Sequence, residues 1–217
     1  MMEKVGQVLD AESFFRQSHV SRETMERLSD YESSLRKWQK TINLVSKSTL
    51  DQVWQRHFWD SAQLFELAPS SARKWVDLGS GAGFPGLVIA IMAMERPGFE
   101  MHLVESDQRK SVFLQEVIRQ TRAPAQVHTG RIEAPETLAA VGACEIVTAR
   151  ACAPLGRLLG WAEPYFGTDT IGLFLKGKNL AEELTEARKS WTFSQTDLPS
   201  RAEEGAIVLK VEHLGLD

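Results

Sequence analysis

The chain has 217 residues, of which 43% are hydrophobic, and a mean hydropathy of -0.23, so it is long enough to bury a sizeable core as one globular protein. No apolar stretch approaches the roughly 20 residues that cross a bilayer, the first residues lack a signal-peptide layout, and the two cysteines form neither a disulfide framework nor a C-x-x-C pair. We therefore predict a cytoplasmic protein without membrane contact or metal. The net charge of -4 does not exclude a nucleic-acid partner, because a basic face can lie on an acidic protein.

Residues 1–70 are predicted to form a helical extension. From Met25 to Ile42 the apolar residues recur at steps of three and four, which places them on one face of a helix. Ser21 is a candidate N-cap for that helix, because a serine oxygen can accept from the first free amides.

A second helix of the extension is predicted to begin near Ser48, with Asp51 three residues later in an arrangement like a capping box. Pro69 and the two serines after it interrupt the helical pattern. We place the domain boundary there, so that residues 71–217 form the second unit.

The second unit alternates short apolar runs with amphipathic segments. Parallel strands are predicted at 75–78, 101–105, 126–129, 145–149 and 171–176. Helices between and after them are predicted at 86–95, 108–120, 135–141, 154–165 and 179–190. This alternation indicates an α/β protein with a doubly wound, largely parallel sheet, and two further strands at 191–196 and 206–213 are expected to close it as an antiparallel pair.

A glycine-rich segment, 77–86, follows the first predicted strand and opens the next helix. Gly79, Gly81 and Gly83 allow a sharp turn that a ligand can approach without meeting a Cβ atom. Together with Gly86, the last two also spell the G-x-G-x-x-G fingerprint of dinucleotide sites. Two cofactor classes are therefore open, a nicotinamide or flavin dinucleotide and S-adenosylmethionine.

Two neighbours of these glycines favour S-adenosylmethionine. Asp77 ends the strand, where a carboxylate can receive the cationic amino group of a methionine moiety but would be badly placed beside a pyrophosphate. Pro85 removes a backbone N–H where a dinucleotide would need donors. The sequence thus predicts a Rossmann-like, class I S-adenosylmethionine-dependent methyltransferase. The terminal antiparallel strands are typical of that fold, although this is an argument from fold analogy.

Three residues at the end of the second strand and in the loop after the third strand are further candidates for cofactor binding. Glu105 ends the second strand, where an acid can accept from both ribose hydroxyls of an adenosine. In the loop after the third strand, Ile132 can contact the adenine ring and the polar groups near Glu133 can reach its edge. With the glycine segment, the candidate cofactor residues become Asp77, Gly79, Gly81, Gly83, Glu105, Ile132 and Glu133.

Arg150 and Cys152 follow the fourth strand, at the mouth of the expected crevice. Arg150 can hold a carboxylate or a phosphate through two donors. Cys152 raises the rival chemistry of cytosine C5-methylation, which uses a cysteine nucleophile, but no Pro-Cys dipeptide is present. We therefore interpret Cys152 as a small apolar filler.

Five segments give the chain a family resemblance from about Leu35 almost to its C-terminus. They are 42–45 (INLV), 56–61 (RHFWDS), 77–86 (DLGSGAGFPG), 150–155 (RACAPL) and 175–178 (LKGK). In this order they resemble the bacterial small-subunit ribosomal RNA methyltransferase G family, also called glucose-inhibited division protein B.

The resemblance implies transfer of a methyl group from S-adenosylmethionine to N7 of one guanine in the 530 loop of 16S ribosomal RNA, with S-adenosylhomocysteine as product. Carried over by position, the implied cofactor contacts are Gly79, Phe84, Ile132, Glu133 and Arg150. The implied partner is 16S ribosomal RNA or the small ribosomal subunit, and we expect the protein to be a monomer.

Guanine N7 carries a lone pair and no proton, so we predict no obligatory catalytic residue, only positioning by candidates such as Arg150 and Lys176. The RNA phosphates need cations. The candidate RNA-binding residues are Arg36, Lys37, Lys40, Lys47, Arg56, Lys176 and Lys178.

His57, Asp60 and Ser61 have the spacing of one helix face. They are interpreted as a polar network that anchors the extension onto the methyltransferase unit, in preference to a wall of the substrate pocket. Three other functions stay open on the residues alone. They are a methyltransferase acting on a small molecule or a protein, a nicotinamide-dependent oxidoreductase, and an RNA-binding module without enzymatic activity.

Overall fold

The computed structural model describes residues 9–216, and its N-terminal part is helical as predicted. The extension consists of α1 (Ala11–Ser18), α2 (Arg22–Trp38), α3 (Lys47–Leu50), a π-helical segment (Trp54–Trp59) and α4 (Asp60–Leu67). Ser21 caps α2 as expected, because its side chain accepts from the main-chain N–H of Thr24 at 3.2 Å. Residues 1–8, which belong to the predicted extension, lie outside the described residues.

The predicted capping box at Ser48 is wrong. The short helix α3 begins one residue earlier, after Ser46, and no side chain caps it. The reason is that the hydroxyl of Ser46 bonds to those of Ser48 and Thr49, at 3.1 and 2.9 Å, and is not used on a main-chain N–H. Asp51 follows the helix instead of standing in its first turn.

The second unit contains one mixed sheet. Its strands are β1 (Lys74–Leu78), β2 (Glu100–Glu105), β3 (Ala125–Thr129), β4 (Cys144–Arg150), β5 (Phe166–Lys176), β6 (Trp191–Pro199) and β7 (Ile207–Leu216). Their order is β3-β2-β1-β4-β5-β7-β6, with the first five parallel and with β7 antiparallel to both β5 and β6. The predicted parallel sheet with a terminal antiparallel pair is thus confirmed.

Helices cover both faces of this sheet. They are α5 (Gly86–Met92), α6 (Gln108–Thr121), α7 (Pro135–Val141), α8 (Leu155–Ala162) and α9 (Leu180–Ala187). Side chains alternate along β1, so that Trp75 enters the core shared with the extension while Val76 and Leu78 enter the core on the other face. Within residues 9–216, no helix is long and apolar enough to span a membrane.

Several predicted bounds differ from the structure. Helices α5 and α9 end three residues before the predicted 95 and 190, and strands β6 and β7 end three residues after the predicted 196 and 213. Two other differences have clear local reasons. The helix predicted at 154–165 ends at Ala162 and continues as a 3-10 turn, Glu163–Tyr165, because Pro164 has no N–H to donate. Strand β5 starts at Phe166 instead of residue 171, because main-chain pairing with Cys144 draws in a polar stretch that shows no apolar pattern.

The extension and the sheet share one hydrophobic core. Tyr31 of α2 packs against Phe58 of the π-helical segment and against Phe84 of the glycine-rich turn, residues 79–85, with ring centroids 5.3 and 5.2 Å apart. Because the two parts share this core, the domain boundary at residue 70 stays a prediction.

Candidate active site

The glycine-rich turn connects β1 to α5 at the carboxyl edge of the sheet. Gly79, Gly81 and Gly83 have φ angles of 68°, 57° and 94°, which L side chains rarely adopt. Gly86 is needed for a different reason, since a Cβ atom there would lie 2.4 Å from a methyl group of Leu103. The sequence of the turn is thus dictated by backbone conformation and close packing.

Asp77, at the end of β1, fixes the position of this turn through hydrogen bonds. Its side chain is fully buried, and its two carboxylate oxygens accept from the N–H of Gly86 at 3.2 Å and from the hydroxyl of Thr148 at 3.0 Å. Burial raises the pKa of Asp77 to about 6 despite these bonds. The structure therefore makes Asp77 an anchor of the turn, and its predicted contact with a methionine amino group stays a prediction.

Glu105 lies beside the same turn at the end of β2. One carboxylate oxygen accepts from the N–H of Gly81 at 2.7 Å and the other from the N–H of Asp107 at 2.8 Å. These two bonds fix the carboxylate with lone pairs left over for a diol. Among the described residues, a Cβ atom at Gly81 would meet only the main-chain oxygen of Gly79 at 3.8 Å, so a ligand has room to approach the backbone.

The loop after β3 reaches the same place. Gly130 donates its N–H to the main-chain oxygen of Glu105 at 3.0 Å, which brings residues 131–133 beside the end of β2. Ile132 is buried and its carbonyl accepts from the hydroxyl of Tyr165 at 2.7 Å, whereas Glu133 is exposed. Their cofactor contacts stay predictions at a location that suits them.

Phe84 is an aromatic link between the turn and the extension. Its ring stacks on Tyr31 and on His57, with centroids 5.2 and 4.8 Å apart and interplanar angles of 24°. Tyr31 also donates to the main-chain oxygen of Ala82 at 2.5 Å. The Phe84 side chain is buried in this stack, which leaves its main-chain atoms for the predicted cofactor contact.

Arg150 ends β4 and holds the extension against the sheet. Its guanidinium donates to Nδ1 of His57, to the main-chain oxygen of Arg56 at 2.9 Å and to Asp60 at 3.4 Å. The hydroxyl of Ser61 in turn donates to the main-chain oxygen of His57 at 2.6 Å. The predicted polar network of His57, Asp60 and Ser61 is present, and Arg150 is its centre.

His57 cannot serve as a general base in this network. Because Nδ1 accepts from Arg150, the proton lies on Nε2, which is 2.9 Å from the hydroxyl of Thr49 and donates to it. Burial and the positive charges of Arg150 and Arg56 lower the pKa of His57 to about 3. The imidazole is therefore neutral and structural.

Cys152 lies against the first glycine of the turn. Its sulfur is 2.5 Å from the position that a Cβ atom at Gly79 would take. Burial, followed by the charges of Asp77 and Glu105, raises the pKa of Cys152 to about 11, so the thiol is not ionised near neutral pH. Both observations support the interpretation of Cys152 as a packing residue.

A cleft of about 490 Å³ opens beside this turn, at the ends of β4 and β5 and under the extension. Ala151 and Ala153, which flank Cys152, form part of its wall, so the cleft adjoins the glycine-rich turn. Three ion pairs line it. They are Arg56–Glu203 at 2.8 Å, Arg150–Asp60 at 3.4 Å and Lys176–Glu183 at 2.6 Å.

The candidate RNA-binding residues fall into two groups. Arg36, Arg56 and Lys176 are in ion pairs with Glu32, Glu203 and Glu183, respectively, and the side chain of Lys176 is only 8% exposed. The exposed lysines are Lys37, Lys40, Lys47 and Lys178. RNA contact stays a prediction for both groups, and the structure favours it least for Lys176.

Sequence reasoning missed the acidic side of the cleft. Glu183 lies in α9, and Glu203 lies in the turn between β6 and β7, where charged residues are ordinary. Neither stands in a motif, and only the return of β7 to the sheet brings Glu203 to Arg56. No local signal in the sequence could have found this pairing.

The sheet order and the site define the fold of the class I S-adenosylmethionine-dependent methyltransferases. Among solved structures, the chain is similar to a putative O-methyltransferase from Klebsiella pneumoniae, with a TM-score of 0.60 at 12% identity over 86% of this chain and 89% of that one. It is also similar to a methyltransferase from Geobacter sulfurreducens, with a TM-score of 0.58 at 12% identity over 95% and 98% of the two chains.

Comparison with known sequences defines the family. Residues 24–205 match the family model described as rRNA small subunit methyltransferase G. A relative from Parvibaculum lavamentivorans named ribosomal RNA small subunit methyltransferase G is 61% identical, over 96% of this chain and 91% of its own length. One of the same name from Rhodospirillum centenum is 51% identical over 90% and 87%. The chain belongs to the rRNA small subunit methyltransferase G family.

Proposed function

We propose that this protein transfers the methyl group of S-adenosylmethionine to N7 of one guanine in the 530 loop of 16S ribosomal RNA. The observation that carries the proposal is the position of the cleft. It opens at the ends of β4 and β5, and the two alanines in its wall flank Cys152, which packs against Gly79 of the glycine-rich turn. A cofactor at the turn and a nucleobase in the cleft can therefore meet at the end of β4. Family membership supplies the substrate class.

The residues around the turn fit the cofactor. The open space above Gly81 accommodates a ligand close to the backbone, and the fixed carboxylate of Glu105 is suited to accept from ribose hydroxyls. Ile132 and Glu133 lie beside Glu105, where an adenine bound to the same ribose would extend. When bound, S-adenosylmethionine supplies a sulfonium methyl group that is electrophilic without further activation.

The reaction requires no general acid or general base from the protein. The N7 lone pair forms the new bond to carbon while the carbon–sulfur bond breaks and sulfur keeps the electron pair, so no proton has to be removed. This agrees with a site in which His57 is neutral and bonded at both nitrogens. The protein's contribution is to align the base, an effect that can supply roughly 7–11 kcal/mol in well-oriented reactions.

Arg150 is the positioning residue of this arrangement. It lines the cleft and, through His57 and Asp60, sets the distance between the extension and the end of β4. We further propose that Lys37, Lys40, Lys47 and Lys178, whose side chains are exposed, contact RNA phosphates. The enzyme acts in the cytoplasm as a monomer and without a metal ion in this proposal.

The test is methyl transfer from labelled S-adenosylmethionine to small ribosomal subunits. Subunits from a strain without this modification should accept close to one methyl group per particle, and subunits from the parent strain should accept none. Equal labelling of both would contradict the proposed site. Binding of cofactor without labelling of either would contradict the RNA substrate.

A further inference from the structure

Glu203 differs from the two other carboxylates of the cleft. Asp60 is bonded to Gln63 and Ser200 as well as to Arg150, and one oxygen of Glu183 accepts from both Lys176 and the N–H of Leu155. These two groups are committed to holding the fold together.

The side chain of Glu203, in contrast, is 43% exposed, and its only side-chain partner within residues 9–216 is Arg56 at 2.8 Å. Glu203 is therefore the carboxylate of the cleft that can change its partner at low cost, since a half-exposed ion pair contributes little to stability.

The turn that carries Glu203 is nevertheless held in place. Gln63 accepts from the N–H of Arg201 at 3.0 Å, and Gln55 donates to the main-chain oxygen of Ala202 at 3.2 Å. Both glutamines belong to the extension, and Ala202 is buried against it. The carboxylate thus stands on a fixed backbone at the wall of the cleft, which is what recognition of a flat base requires.

A guanine that is methylated on N7 can be recognised by a carboxylate on the wall of the cleft opposite the glycine-rich turn. When N7 faces the glycine-rich turn, the opposite edge of the base presents two donors, N1–H and the N2 amino group. A carboxylate can accept from both at once, whereas the adenine ring has no hydrogen on N1 and no N2 amino group.

We propose that Glu203 accepts from N1–H and the N2 amino group of the target guanine, and that Arg56 is released from it to an RNA phosphate. This inference rests on the proposed function and adds the residue that reads the base.

The proposed contact also has a kinetic consequence. Methylation places a positive charge on the purine ring, which makes N1–H a stronger donor. The bond to Glu203 therefore strengthens as the reaction proceeds, and an interaction that is stronger in the transition state raises kcat. Loss of the carboxylate should lower kcat by about 10- to 100-fold, the effect of one charge-assisted pair of hydrogen bonds. It should raise KM by a smaller factor.

The experiment compares guanosine with inosine, which lacks the N2 amino group, at the target position of reconstituted small subunits. The wild-type protein should methylate the inosine substrate at least about 10-fold more slowly, because one bond to the carboxylate is lost. In Glu203→Ala this discrimination should nearly vanish, since no acceptor remains. Glu203→Asp should restore part of it, and Glu204→Gln, an exposed neighbour, should behave as wild type.

The outcomes separate the inference from the function on which it rests. If the wild-type protein methylates guanosine subunits but Glu203→Ala keeps the full discrimination against inosine, Glu203 does not read the base. If the wild-type protein labels neither substrate, the proposed function fails instead. Thermal unfolding of each variant guards against misfolding, and a folded Glu203→Ala with unchanged kcat would also overturn the inference.

Discussion

Arg150 donates to Nδ1 of His57, and this contact joins the end of β4 to the π-helical segment of the extension. The same guanidinium bonds to the main-chain oxygen of Arg56 and to Asp60, so three neighbouring residues of the extension depend on one side chain. The side chain of Arg150 is 21% exposed, and the cleft lies against it. The site and the attachment of the extension are therefore one structure.

Replacement of Arg150 by lysine should reduce both stability and activity. A lysine keeps the charge but not the planar set of donors, so His57 or the Arg56 carbonyl loses its partner. We expect a loss of about 1–3 kcal/mol in the free energy of unfolding, the cost of leaving a buried polar group without its hydrogen-bond partner. Urea denaturation measures it. Arg157→Lys, on the exposed face of α8, should change stability by less than about 0.5 kcal/mol.

His57 should make the protein less stable in mild acid. Its pKa is about 3 in the folded protein, against an ordinary value of 6.5 for a histidine in an unfolded chain, so as the pH falls below about 6.5 the unfolded chain takes up a proton that the folded protein does not. The contribution of neutral His57 to the free energy of unfolding is fully present above pH 6.5 and is lost as the pH falls towards 3. His57→Asn, which keeps an acceptor for Arg150, should remove about 2 kcal/mol of the difference in unfolding free energy between pH 7 and pH 5.

The control for this pH dependence is His213→Asn. His213 is exposed and has a φ of 55°, a conformation that asparagine tolerates. Urea titrations of the two variants at both pH values suffice. An unchanged pH dependence in His57→Asn would show that the pKa of His57 is not lowered in the folded protein.

Gly79→Ala should be more damaging than Gly98→Ala, although both glycines have similar φ angles of 68° and 73°. At Gly98 a Cβ atom has no neighbour within 4 Å in the part of the chain that the structure describes, so that variant measures backbone strain alone, about 1–2 kcal/mol. At Gly79 the new atom collides with the sulfur of Cys152 at 2.5 Å, which should add about 1–3 kcal/mol and weaken cofactor binding.

A second substitution tests the cause of that difference. Cys152→Ala removes the sulfur and leaves the Cys152 Cβ atom 3.5 Å from the new methyl group, an ordinary contact distance. In the Gly79→Ala background it should recover most of the added loss, as measured by a double-mutant cycle. If the effects of the two substitutions simply add, the collision is not the cause of the added loss of stability in Gly79→Ala.

Cys152 itself should be dispensable for chemistry. Burial raises the pKa of its thiol to about 11, so little thiolate exists near neutral pH. Cys152→Ala should keep methyl transfer within about threefold of wild type, and iodoacetamide should label the folded protein slowly at this position. A loss of a thousandfold, as expected for a nucleophile, would restore the cytosine C5 mechanism.

Much of the sheet and of the glycine-rich turn is predictable from sequence. The strands are predictable because burial on both faces of the sheet requires short apolar runs. Helix α7 has its predicted bounds because Pro135 and Gly142 mark its ends. Gly79, Gly81 and Gly83 are predictable because their backbone angles exclude other residues.

The remaining features depend on contacts between distant parts of the chain. The sequence pattern of the extension predicts helix, but the π-helical turn that presents His57 to Arg150 depends on packing against the sheet. The Arg56–Glu203 pair joins residues that are far apart in the chain, and neither residue type is informative alone. Asp77 lies at the predicted turn, yet its burial beneath Gly86 is visible only in three dimensions.

The most direct test of the central claim is to identify the methylated atom. Small subunits that lack the modification are incubated with the protein and tritiated S-adenosylmethionine, and the labelled nucleoside is then mapped in the RNA. The account predicts 7-methylguanosine at one position in the 530 loop of 16S ribosomal RNA. Label at another atom, at another base or in protein alone would contradict it.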